Sequence, residues 1–196
     1  MPLTPTVLEG QHIRLEPLSM SHHAQLCEVG LDPAIWTWIY PQGSTADGMR
    51  AFIEAGIKAH AAGTALPFAT IEKASGKAVG STRFGNMDLD NRRVEIGWTW
   101  IAPKWQRTAV NTEAKYLMLR YAFEVLKCMR VELKTDALNE RSRAAILRLG
   151  AKQEGIFRKH MLAANGRIRD TAYFSITDDE WPGVAAGLLA KMQRTS

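Results

Sequence analysis

Cysteine is scarce in this chain of 196 residues: Cys27 and Cys128 stand far apart, and neither belongs to a CxxC pair. That spacing argues against a redox motif or a zinc knuckle and reads instead as two reduced packing residues. The five histidines are scattered, and His22-His23 has no ligand partner at useful spacing, so no metal is expected. Long apolar runs are missing too. The opening MPLTPTVLEGQHIRLEPL lacks the basic end and apolar stretch of a secretory signal, and no later segment stays apolar long enough to span a bilayer. A cytoplasmic protein with no membrane partner is the expectation. No low-complexity linker, internal repeat or sharp shift of composition divides the chain, so one domain over residues 1–196 is expected.

What is present is an ordinary globular composition, 46% hydrophobic and 23% charged, enough to bury a core without disulfide or metal staples. The net charge of +5 raises the question of a polyanionic partner. Arg141, Arg143, Arg148, Lys152, Arg158, Lys159, Arg167 and Arg169 form the densest basic stretch, but Glu140, Glu154 and Asp170 interrupt it. A solvated basic face or a site for a small polyanion fits this better than nucleic acid, which is not expected as a partner.

The hydrophobic pattern alternates between strand and helix periods. An opening strand is predicted over His12–Leu18, then a short helix capped by Ser21 and ending near Gly30, with Trp36 and Trp38 in a loop or short helix. Thr45 caps a helix carrying Met49, Phe52, Ile53 and Ile57, which Gly63 stops. Leu66–Glu72 and Val79–Phe84 form a hairpin through Gly76. In the strand Arg93–Ile101, Val94, Ile96, Trp98 and Trp100 alternate with Glu95, Gly97 and Thr99, giving two unlike faces, and Pro103 ends it. Asn111 is the expected cap of a helix with Ala114, Leu117, Met118, Tyr121, Ala122 and Val125 as its apolar stripe. Arg130–Thr135 returns as a strand, and Asn139–Leu149 is a helix stopped by Gly150. Gln153–Met161 and Arg167–Ile176 flank an Asn165-Gly166 turn, and a last helix follows Trp181-Pro182. The fold class is mixed α/β.

This order, together with Val94-Glu-Ile-Gly-Trp98 leading to Trp105-Gln-Arg-Thr-Ala-Val-Asn-Thr-Glu-Ala-Lys115, then Arg130-Val-Glu-Leu133 and Asn139-Glu-Arg-Ser142, resembles the GNAT N-acetyltransferase superfamily. It is most similar to the branch of ribosomal-protein N-terminal acetyltransferases, and the likeness covers nearly the whole chain. The resemblance implies an α+β domain with a central mixed, mostly antiparallel twisted sheet, helices on both faces and a splayed strand pair. It also implies acetyl-coenzyme A as co-substrate.

Physically, Gln106–Thr112 is a strand-to-helix loop whose amides can face pyrophosphate at the positive end of a helix, and that loop holds coenzyme A in the family. The candidate contacts are Gln106, Arg107, Thr108, Ala109, Val110, Asn111 and Thr112. The two family glycines are replaced by Ala109 and Asn111, so amide binding requires right-handed backbone at position 109. Otherwise the segment is only a helix cap. The resemblance further implies that backbone near Trp100 and Ile101 meets the pantetheine arm, with Asn139 on the far side.

Acyl transfer needs a neutral amine, donors for the oxyanion and a proton for the departing thiolate. Many relatives place a tyrosine acid four residues before the glycine that ends the fourth helix, but Ile146 stands before Gly150 here. Ser142, in the Asn-x-x-Ser pattern of the branch, is the replacement candidate, against a plain exposed serine. A thiol of pKa near 8.5 needs only weak proton assistance. Glu95 is the candidate base, against a cross-strand partner for Arg83, Arg92 or Lys134 or a water relay that needs no single base. Glu113 and Glu132 read better as a helix-terminus complement and a solvated strand residue. Tyr173 reads as packed before substrate-facing, and Trp36, Trp38 and Trp98 as core before an amine-binding wall. The partners expected are acetyl-coenzyme A and an amine acceptor, either a protein N-terminus or a small molecule. A silent coenzyme A-binding module is the rival reading, and a homodimer stays open.

Overall fold

The computed structural model describes residues 3–40, 42–163 and 166–193. Eight strands form one sheet in the order β1-β2-β3-β4-β5-β6-β8-β7: β1 Leu8–Glu9, β2 Ile13–Pro17, β3 Leu66–Glu72, β4 Lys77–Asp88, β5 Arg93–Ile101, β6 Arg130–Asp136, β7 Lys152–Leu162 and β8 Ile168–Thr177. Only β5 and β6 are parallel, because the helix α3 (Ala109–Arg120) must carry the chain back between them. Helices α1 (His23–Gly30) and α2 (Ala46–Ala61) pack Leu26, Met49, Phe52 and Ile53 on one face. Against the other face lie α3, α4 (Glu140–Leu149) and α5 (Trp181–Gln193), through Leu117, Met118, Ile146, Leu149 and Leu188. Each face thus buries its own apolar cluster.

Several boundaries follow directly from local chemistry. Thr45 Oγ1 accepts the Gly48 N–H at 3.0 Å to start α2, and Gly150, at φ 103°, ends α4 in the left-handed conformation that glycine adopts without strain. Gly76, at φ 67°, makes the β3–β4 turn. The Asn165-Gly166 turn is only partly seen, since Asn165 lies outside the described residues; Gly166 has φ 79°.

Four expectations are corrected. Ser19, not Ser21, stands at the cap position, because a 3-10 turn over Met20–His22 precedes α1. Thr108, not Asn111, caps α3: its Oγ1 accepts the Val110 N–H at 3.3 Å, so the helix begins three residues earlier than read. The stripe on α3 does not reach Val125, which is 60% exposed, because Tyr121–Val125 is a π turn. The wider π turn rotates the following side chains off the helical period.

The last correction concerns β5. Val94 and Ile96 face the α3 side, but Trp98, Trp100 and Thr99 break the alternation: Trp98 has φ 48°, and the register with β4 slips between Ser81 and Arg83. This bulge exchanges the two faces, so Trp100 joins the α1–α2 cluster and Thr99 turns to α3. Beyond it, β5 and β6 separate. Their pairing stops at Glu95 opposite Glu132, although β5 continues to Ile101 and β6 to Asp136.

Candidate active site

The separation leaves two facing backbone edges with unpaired peptide groups, and α3 begins at the end of the wedge between them. After Ile101 the chain makes a 3-10 turn over Pro103–Trp105, and Arg107 takes the left-handed conformation at φ 63°. Thr108 Oγ1 donates to the Trp105 carbonyl at 2.7 Å while capping Val110. Ala109 is then the first helical residue, and its backbone is right-handed. The N–H groups of Ala109 and Asn111 belong to the first turn, where no intrahelical acceptor exists. Asn111 Oδ1 is buried without a hydrogen-bond partner among the described residues. The Thr112 hydroxyl turns to α4, accepting from Arg148 Nη2 at 3.1 Å.

Gln106 bridges the wedge: its Nε2 donates to the Ile101 carbonyl at 2.8 Å, and its Oε1 accepts from Arg141 on the first turn of α4. On that turn Asn139 Oδ1 caps the helix, accepting the Ser142 N–H at 3.0 Å. No side chain among the described residues engages the half-buried Ser142 hydroxyl, and Ile146, one turn on, is buried in the core. Gln106 thus ties the end of β5 to the first turn of α4, the turn that carries Ser142 and is capped by Asn139.

Glu95 is on the opposite side of the sheet from α3, at the apex of the wedge. It is buried, accepts from Asn86 Nδ2 at 2.6 Å and pairs with Lys134 Nζ at 2.9 Å. Of the three cations weighed as its partner, Lys134 is the one. Lys134 also meets Glu132 at 3.1 Å; burial works to lower its pKa, but the two carboxylates outweigh that and hold it above the ordinary lysine value. Glu132 is not on a solvated face: it is buried, bonded by Lys134 and by Arg130 at 3.1 Å, and these cations overcome desolvation to lower its pKa. The Lys134 ammonium stands 4.6 Å from the ring of Tyr173, which stacks on Phe157 with centroids 4.0 Å apart. Trp36 is core, with Nε1 donating to the Gly30 carbonyl at 2.7 Å. Trp38 is exposed and lies 5.8 Å from the Arg167 guanidinium, which pairs with Asp136.

Glu113 has a different task from the one read. Its buried carboxylate accepts the backbone N–H groups of Gln11, His12 and Ile13 at 2.6, 2.8 and 2.8 Å, pinning the β1–β2 turn to α3. The burial of three further cations escaped the sequence reading. Lys115 is buried on α3 and donates to Thr99 at 2.6 Å and Thr82 at 3.2 Å; burial pushes its pKa down to about 7. Its place beside Ala114 and three residues before Met118, inside an apolar stripe, was the available signal. Arg83 is buried on β4 within a run of residues that are all buried, and burial also lowers the pKa of Arg169 on β8. No group of three metal-ligating side chains occurs among the described residues, and no described helix is long and apolar enough to cross a membrane.

A sequence profile of the acetyltransferase (GNAT) domain matches residues 12–152, which span β2 to the start of β7 and include β5, β6, α3 and α4. The chain belongs to the GNAT acetyltransferase family. Among curated GNAT relatives, YdaF of Bacillus subtilis, provisionally named a ribosomal N-acetyltransferase, is 37% identical over 108 residues, or 55% of this chain and 58% of YdaF. The match thus spans little more than half of that relative's length. A GCN5-related N-acetyltransferase from Brucella melitensis superposes with a TM-score of 0.90 at 34% identity, covering 98% of this chain and 87% of that one. A provisionally assigned acetyltransferase from T. thermophilus gives 0.87 at 33% identity, with 98% and 100% covered.

Proposed function

We propose that this GNAT protein is an acetyl-coenzyme A-dependent N-acetyltransferase acting on a primary amine, and that the amine is an α-amine such as a protein N-terminus. The observation that carries the reading is the wedge between β5 and β6 with the first turn of α3 at its end. Unpaired strand edges suit the amide groups of a pantetheine arm, and first-turn amides suit pyrophosphate.

In this reading the Ala109, Val110, Asn111 and Thr112 segment, with Gln106, Arg107 and Thr108, holds the pyrophosphate end. Backbone at Trp100 and Ile101 and the Asn139 side chain hold the arm. Coenzyme A supplies the acetyl thioester. The Ser142 hydroxyl, free of other bonds, donates a proton to the leaving sulfur. Glu95 faces the acceptor side and draws the proton of the attacking amine, directly or through water, while it is already engaged by Lys134 and Asn86. The amine must therefore arrive largely neutral.

The test combines binding and chemistry. Acetyl-coenzyme A at about a hundredfold excess over its Kd should stabilise the fold by roughly 2.7 kcal/mol. Addition of α-amine peptides should then release thiol. Stabilisation without thiol release from any amine would instead establish a binding module, and no stabilisation at millimolar ligand would overturn the reading altogether.

A further inference from the structure

Arg83 is 4% exposed, and its Nε and Nη2 are buried with no hydrogen-bond partner among the described residues. These are the two nitrogens whose N–H groups point the same way, the side of the guanidinium fork that grips both oxygens of a carboxylate. No described carboxylate pairs with Arg83; Glu95, the nearest acidic position across the β4–β5 register, is held by Lys134 instead. Phe52 and Trp98 face the guanidinium at 4.9 and 5.2 Å, which offsets part of the desolvation but satisfies no N–H. Burial lowers its pKa only to about 10, so it is charged at neutral pH. A buried, unpaired cation is among the costliest features a fold can hold, and a methionine would fill the same slot without that penalty.

Its location connects the charge to the site. Arg83 stands opposite Gly97, on the sheet face that bears Glu95 and immediately before the bulge at Trp98. This is the face across the sheet from α3, where the acceptor amine approaches in the reading above. We infer that Arg83 binds a carboxylate carried by the acceptor, admitted when the half-buried Trp98 ring moves aside. The inference rests on the proposed acetyltransferase reading and names its substrate class: an amine with a carboxylate close to it. Such a carboxylate can be the α-carboxylate of a free amino acid or an acidic side chain beside a peptide N-terminus.

Matched acceptors separate these sources. Alanine is compared with alaninamide, and the amidated peptide Ala-Glu-Ala with Ala-Gln-Ala, using wild type, Arg83→Met and Arg83→Lys. In one of the two pairs the wild type should favour the carboxylate member by about tenfold or more in kcat/KM, mostly through KM. That ratio should fall to near one in Arg83→Met and be only partly kept by Arg83→Lys, which retains the charge without the fork. The pair that shows the effect identifies the source. A ratio near one in both pairs for the wild type, or an unchanged ratio in Arg83→Met, would overturn the inference. Failure of the acetyltransferase reading is seen separately, as no thiol release from any amine. In that case the carboxylate members at millimolar concentration should still raise the melting temperature of the wild type above their neutral twins, less so that of Arg83→Lys, and not that of Arg83→Met; no difference in the wild type would sink the site. Should Arg83→Met fail to fold, Arg83→Lys carries the same comparisons.

Discussion

Single side chains make the clearest demands on experiment. Lys115 is 5% exposed and has two hydroxyls for partners, so its folded pKa, about 7, lies well below its value in the unfolded chain. Between these two values the unfolded state binds more protons than the folded one, so this group makes stability rise with pH from about 7 to 10.4. Below pH 7 its penalty is fully present. Denaturant unfolding of wild type against Lys115→Met should show the variant more stable at pH 7, with the gap narrowing by roughly 3 kcal/mol by pH 9.5. A gap that does not vary with pH would mean that Lys115 is solvated or paired. At Ser142 the expectation concerns rate. Ser142→Ala should lower kcat about tenfold or more with little change in coenzyme A affinity, since a donor to the leaving sulfur acts in the transition state. Equal turnover in the two proteins would remove the hydroxyl from the chemistry.

Among elements, α3 connects three parts of the molecule. Its first turn points at the wedge, Lys115 reaches the bulge of β5, and Glu113 holds the β1–β2 turn through three backbone bonds. Glu113→Ala leaves those donors without their acceptor, and a loss of roughly 3–5 kcal/mol in unfolding free energy is expected. Amide exchange at Gln11, His12 and Ile13 should rise before that of α3. A loss below about 1 kcal/mol would show that the turn is held by other contacts. Hairpins and helices were legible here because their signals are local: Thr45 and Gly150 each act within a few residues. The bulge at Trp98 was not, since a strand of alternating Val94, Ile96, Trp98 and Trp100 looks regular until its neighbour β4 forces the register to slip.

For the whole molecule the two sheet faces are chemically distinct: α3 and α4 pack on one, where the proposed reading puts the cofactor, while Glu95, Lys134 and Arg83 lie on the face across the sheet from α3. In the proposed reading Glu95 is already bound to Lys134 and Asn86, so the acceptor's own pKa should govern the rate. An α-amine of pKa near 8 is about one-tenth neutral at pH 7, whereas a lysine near 10.4 is neutral in about one molecule per few thousand, a difference of several kcal/mol in supply. Peptides matched in sequence, whose only free amine is the N-terminus or one lysine, should therefore differ strongly in kcat/KM near pH 7 and converge toward pH 9.5. An equal or better lysine peptide at pH 7 would contradict this. The amino-acid sequence by itself determined the order of elements and the family, because periodicity, caps and motif spacing are properties of neighbours along the chain. Only the tertiary structure decided that Glu95 is paired, that Glu113 is an anchor, and that Lys115 and Arg83 are buried cations. Burial and partnership depend on which strands and helices meet, and a charged residue in a sequence carries no mark of the neighbours that will enclose it.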